Sequence, residues 1–141
     1  MKNTKVGVIG LGGIAQLVHL PILSKMNNVE IFAASETNKS RGEVLSKKFN
    51  IKNSFTDYTK MLEMEELDAV IITTPTNTHE KLAIDCLNAR KHILIEKPGS
   101  KNLEEALRIK KAAKKNKKIA MVGMNPRFRP DAMLLKSLIN S

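Results

Sequence analysis

At 141 residues the chain has room for one domain with a sizeable core, and its apolar share and its Gly and Pro counts are those of a folded protein. A single cysteine, Cys86, excludes an internal disulfide. The formal net charge of +10 suggests nucleic acid, yet the chain has no tryptophan, one tyrosine and no motif of that class, so a solvated lysine face is the simpler reading.

Residues 5–9 are short, β-branched and apolar, as suits a strand buried on both faces. They run into Gly10-x-Gly12-x-x-Ala15, the fingerprint of a dinucleotide site. Gly10 permits the tight turn, and Gly12 lets the backbone approach a pyrophosphate. Ala15 is small enough for the following helix to pack on the strand. The helix opening, through Gly13 and Ile14, turns free N–H groups and a positive dipole end toward the phosphates. A helix is predicted over residues 13–25, with Pro21 breaking its second half. Val29–Ser35 is the second strand. Glu36 follows it, 21 positions after Ala15, where the fingerprint asks for a carboxylate on the adenosine ribose hydroxyls. A carboxylate there repels the extra phosphate of NADP and favours NAD. Lys39 and Arg41 stand close enough to receive that phosphate if Glu36 turns away.

The β-α alternation continues down the chain. Residues 38–49 read as a helix, a short strand lies near Ser54, and Asp57 caps a brief helix to about Met64. Residues 68–73 form the fourth strand. Residues 78–89 are a helix carrying Cys86 as a small buried hydrophobe, and 92–95 are the fifth strand. Asn102-x-x-Glu105 is a capping-box-like start for a long lysine-rich helix, in which Leu103, Ala106, Leu107, Ile109 and Ala113 leave an apolar stripe. Residues 119–123 are the sixth strand and 131–139 a last helix. Such alternation requires a doubly wound α/β fold, a parallel sheet with helices on both faces, in a single domain. No segment approaches a membrane span and no apolar leader precedes the first strand, so no membrane partner and a cytoplasmic location are expected. No group of Cys, His and carboxylates has ligand spacing, so no metal is expected.

The fifth strand ends in Glu96-Lys97-Pro98. A strand end in an open α/β sheet faces the ligand crevice, and a proline there cannot extend the ladder. This run must stop a buried strand and aim a lysine into the crevice. A cis Lys97–Pro98 bond turns a chain that sharply.

Taken together, these residues resemble the N-terminal half of the glucose–fructose oxidoreductase / inositol 2-dehydrogenase / rhizopine-catabolism (Gfo/Idh/MocA) family. The loop GLGGIA matches that family's glycine loop, and His19-Leu20-Pro21 matches its frequent H-x-P. Residues 71–79, IITTPTNTH, are close to its T-P-N-x-x-H, with Thr76 where asparagine is usual. Residues 92–98 match KHVLxEKP, and residues 121–128, MVGMNPRF, are similar to VGFNxRF. The resemblance implies a Rossmann domain that binds NAD, with NADP less favoured, and contacts from Thr74, Pro75, Thr76, Glu96, Lys97, Asn125 and Arg127 besides the glycine loop. His79 is expected near the cofactor as a helix-start residue rather than a proton carrier. Lys97 is implied as the catalytic residue, polarising a substrate hydroxyl or relaying its proton, with a simple ribose-binding cation as the alternative. Glu96 orients the nicotinamide ribose in this reading.

The implied reaction is hydride transfer with a secondary alcohol of a sugar, polyol or sugar-nucleotide, in a protein that is a homo-oligomer at full length. Members of the family continue into a second α/β domain that forms the substrate wall and carries a catalytic histidine. The chain is therefore expected to be the cofactor half of a dehydrogenase, inactive alone. The other reading is a non-catalytic dinucleotide-binding sensor or regulatory subunit.

Overall fold

Side chains alternate across the first strand and so divide the core in two. In a computed structural model that describes residues 3–140, Val6 and Val8 of β1 (Thr4–Ile9) pack on one face with Ala34, Leu45 and Ile71. Ile9 turns to the other face with Val70 and Ile72. The first cluster is closed by Leu11 and Ala15 of the glycine loop and by Leu20 and Leu23 after it. The second is closed by Met61, Leu82, Cys86, Leu87, Ile109 and Ala113. Both faces of the central strands are therefore covered, as the apolar runs predict.

The strands are β1, β2 (Val29–Ser35), β3 (Asn53–Phe55), β4 (Ala69–Ile72), β5 (His92–Ile95) and β6 (Ala120–Val122). They form one sheet in the order β3-β2-β1-β4-β5-β6, with every neighbouring pair parallel. Ile9 stands opposite Ser35 on one side and Ile72 on the other. The chain thus winds one way from β1 to β3 and the other way from β4 to β6. The reversal between β1 and β4 opens a crevice at the carboxyl ends of the strands.

Helices α1 (Leu20–Leu23), α2 (Lys39–Lys48), α3 (Tyr58–Leu62), α4 (His79–Asn88), α5 (Leu103–Asn116) and α6 (Pro130–Ile139) link or follow the strands. Asp57 caps α3 through its side chain, as predicted, and Asn38, read from sequence as the first helical residue, caps α2 in the same way. Three local expectations need correcting. Pro21 does not break the first helix. A π-helical turn, Ala15–His19, precedes it, closed by the Leu20 N–H on the Ala15 carbonyl, and Pro21 falls in the first turn of α1, where its missing N–H is harmless. The helix ends at Leu23, short of Lys25.

On α5 the buried stripe is Glu105, Ile109, Ala112 and Ala113, whereas Leu103, Ala106 and Leu107 are exposed. The helix is rotated because Glu105 turns inward. Its N–H donates to Asn102 Oδ1, and its carboxylate accepts from the Lys101 N–H and pairs with Lys101 Nζ. The reciprocal bond of a capping box therefore goes to Lys101 rather than to Asn102.

Candidate active site

The glycine loop leaves β1 with Gly10 at φ 87°, a left-handed conformation that favours glycine. A Cβ on Gly10 would stand 2.8 Å from Thr74 Cγ2 and 3.2 Å from the Thr73 backbone. The Thr73 hydroxyl donates to the Ile9 and Gly10 carbonyls and ties the ends of β1 and β4 together. Gly12 and Gly13 differ from Gly10. A Cβ on either meets nothing within 4 Å, so this part of the loop borders open space. The Gln16 N–H closes on the Gly12 carbonyl, which makes Gly12 the start of the first turn and leaves the Gly13 and Ile14 N–H groups without intrahelical acceptors. Ala15 is fully buried beneath them. The residues fit a pyrophosphate: room where side chains would stand, and amide donors at its edge.

The crevice, about 800 Å³, runs from the glycine loop over the ends of β2 and β4. Gly10, Gly12, Glu36, Thr74 and Pro75, all picked from sequence, line it, together with Arg41, Tyr58, Asn77 and Lys81. Glu36 is 5% exposed and densely held. Oε2 accepts from the Leu11 N–H at 2.8 Å. Oε1 accepts from the Asn38 N–H at 2.9 Å, the Arg41 guanidinium at 2.7 Å and the Thr37 hydroxyl at 3.3 Å. Burial pushes its carboxyl up, but the hydrogen bonds from Arg41, Asn38 and Leu11 and the Arg41 charge outweigh that and hold its pKa at about 2. Arg41 is thus turned toward Glu36, and exposed Lys39 lies 4.0 Å from Glu43. Neither cation stands alone as a phosphate receptor.

Beyond Arg41, Tyr58, Lys81 and Asp85 form a polar cluster at the same rim. The Tyr58 hydroxyl donates to Asp85 Oδ2 at 2.8 Å, and Lys81 Nζ donates to Asp85 at 2.7 Å and to Tyr58. Sequence reasoning passed over this cluster. Lys81 and Asp85 stand four apart on α4, a spacing legible in the sequence, but Tyr58 lies 27 positions from Asp85 and nothing local joins it to them.

At the end of β5 the peptide Lys97–Pro98 is cis, as the turn argument expects. Glu96 is buried, and its Oε1 lies 2.7 Å from Nε2 of His19, itself nearly buried in the π turn. Its Oε2 accepts the Lys97 N–H at 3.1 Å. Gly123 lies against it, with room for a Cβ no nearer than 3.4 Å from Oε1. Lys97 itself is exposed. The His19–Glu96 contact is a pairing that the sequence reading missed. The H-x-P spacing marked His19 but gave it no partner.

The remaining sequence-picked residues fall in three places. Thr76 begins a 3₁₀ turn, Thr76–Thr78, beside the crevice wall. His79 does not line the crevice: it opens α4, fully buried, with Nδ1 2.9 Å from the Pro98 carbonyl and Nε2 2.8 Å from the Thr74 carbonyl. Asn125 and Arg127 lie exposed on the turn Asn125–Phe128. Arg127 lines a separate groove with Met121, Met133 and Ser137, apart from the glycine loop. Among the described residues no cluster of three His, Cys, Asp or Glu side chains could hold a metal ion. Among them, too, no helix is long and apolar enough to cross a membrane.

Comparison with known proteins agrees with this geometry. The chain is 32% identical over 137 residues to myo-inositol 2-dehydrogenase of Thermotoga maritima, covering 97% of this chain and 41% of that protein. It is 35% identical over 135 residues to glucose-6-phosphate 3-dehydrogenase of Bacillus subtilis, covering 96% and 37%. A 3-ketoreductase from Actinomadura kijaniata, solved in complex with NADP and TDP-benzene, superposes with a TM-score of 0.92 at 25% identity, covering 99% of this chain and 42% of that one. The chain spans about two fifths of the length of these relatives. The family described as "Oxidoreductase family, NAD-binding Rossmann fold" matches residues 4–124, and the chain belongs to that family, Gfo/Idh/MocA, as its NAD-binding domain.

Proposed function

We propose that this domain is the cofactor half of a dehydrogenase that moves hydride between a nicotinamide dinucleotide, NAD in preference to NADP, and a secondary alcohol of a sugar or polyol. The observation that supports the reading is a crevice lined by the glycine loop and the buried Glu36 carboxylate, with the Glu96-Lys97-Pro98 strand end at the same edge of the sheet. The related dehydrogenases named above act on an inositol and a sugar phosphate, which supports the substrate class.

When bound, the nicotinamide supplies the hydride acceptor or donor. The chain's own residues do the rest. The Gly13 and Ile14 N–H groups hold the pyrophosphate. Glu36 offers the open lone pair of Oε2 to the adenosine ribose, since the Leu11 N–H occupies only part of that oxygen's capacity. Its full negative charge opposes a 2′-phosphate. Arg41 lies within reach of such a phosphate, but leaving Glu36 would break a charge-assisted bond. Glu96 holds the nicotinamide ribose with the oxygen edge that His19 leaves free. Lys97 holds or relays the proton of the substrate hydroxyl.

Titration calorimetry with NAD(H) and NADP(H) tests the cofactor assignment: tighter NAD(H) is expected, and equal or reversed affinity refutes it. In an assembly that holds both cofactor and substrate, Lys97→Met should cut turnover severely and leave NAD affinity nearly intact. Loss of cofactor binding with turnover spared at saturating NAD would make Lys97 a ribose ligand instead.

A further inference from the structure

The three residues that end β5 are held from two sides by two histidines, neither of which faces the open crevice. His19, delivered by the π turn before Pro21, fixes the Glu96 carboxylate at 2.7 Å. His79, at the start of α4 and fully buried, spans from the Pro98 carbonyl at 2.9 Å to the Thr74 carbonyl at 2.8 Å. One imidazole thus joins the helix after the glycine loop to β5. The other joins the loop after β4 to the turn after β5. We infer that His19 and His79 form a clamp that positions the Glu96–Lys97–Pro98 segment against the nicotinamide half of the crevice, an inference that rests on the function proposed above.

The physical need is plain. Lys97 is exposed, and its long side chain has many rotamers, so only a fixed backbone limits where its amine can be. Catalytic geometry tolerates displacements well under 1 Å. The π turn answers a local question as well. A widened turn shifts the facing of the residues it contains relative to a regular helix, and His19 is the member that meets Glu96. The Glu96 carboxylate is held at both oxygens, one by His19 and one by the Lys97 N–H, so the acid and the lysine backbone move as a unit. Neither His79 nor His19 lines the crevice, and both are positioning residues in this reading.

The halves of a dinucleotide site separate the clamp from the fold. ADP-ribose reports the adenosine half and the pyrophosphate, whereas NADH adds the nicotinamide half. His19→Ala should weaken NADH about tenfold, the loss of one positioned polar contact, and lower the fluorescence gain of bound NADH. ADP-ribose affinity measured by calorimetry should stay within about twofold. His19→Gln, which keeps a donor, should restore most of the NADH affinity. Because His79 is fully buried, His79→Ala endangers the fold itself, so His79→Gln carries the test on that side, with the same selective loss expected. Equal loss of NADH and ADP-ribose, or no loss of either, overturns the clamp. A wild-type protein that binds neither ligand overturns the proposed function, and the clamp with it.

Discussion

Two buried glutamates stand at strand ends on opposite sides of the switch point, and they are held in different ways. Glu36, after β2, is enclosed by its own neighbourhood: the Asn38 N–H, the Thr37 hydroxyl and Arg41 lie within five residues, and only the Leu11 N–H comes from another element. Glu96, after β5, takes one oxygen's partner from 77 positions away. The setting of Glu36 is therefore mostly local, with one partner from the glycine loop. The setting of Glu96 exists only once β5 lies beside the turn that follows the glycine loop. The Glu36 carboxylate, held by a guanidinium and two amides, is committed to charge.

The comparison breaks hardest at the loop both sides share. Gly12→Val places a side chain in the open space proposed for the pyrophosphate and should abolish binding of NADH, NADPH and ADP-ribose alike by calorimetry. Stability should change by less than about 1 kcal/mol, because a Cβ there meets nothing within 4 Å. Gly10→Ala should do the reverse. With φ at 87° and Thr74 Cγ2 2.8 Å from the new methyl, it should cost about 3 kcal/mol of folding free energy in urea titrations.

Next in size is the contrast between the two acids. Glu36→Gln should lower ADP-ribose affinity about tenfold and narrow the gap between NAD and NADP. Glu96→Gln should leave ADP-ribose within about twofold and weaken only NADH. If both substitutions act equally on ADP-ribose, the two sides are not separate.

The smallest effect is on pH dependence. The Glu36 carboxyl sits at about 2 in the fold against an ordinary value of 4.5. Its stabilisation is fully present above about pH 4.5 and is lost as pH falls through about 2. Glu36→Gln should flatten that acid limb of the stability curve, measured by circular dichroism, and leave the limb above pH 5 unchanged. An acid limb that persists in the variant would show that another carboxylate carries it.

Cys86 illustrates how far local pattern reaches. It stands on the apolar side of α4, and burial pushes its thiol up to about 12, as befits a small packed side chain rather than a reactive one. The α5 stripe shows where local pattern fails. Leu103 and Leu107 look like core by spacing, yet α5 turns Glu105 inward because its carboxylate satisfies Lys101 at the helix start. The helix buries Ile109, Ala112 and Ala113 instead and leaves Leu103 and Leu107 at its surface.

By itself the amino-acid order determined the six strands, the glycine loop, the Glu36 position and the Glu96-Lys97-Pro98 strand end, because each rests on neighbours within a few residues: a period-two run, a turn glycine, a cap. Only the tertiary structure decided that His19 meets Glu96, that His79 is buried between two loop carbonyls, and that Tyr58, Lys81 and Asp85 gather at the crevice rim. Those contacts join residues 4 to 77 positions apart. They depend on strand order and helix facing, which the summed packing of both sheet faces sets and no local window of sequence contains.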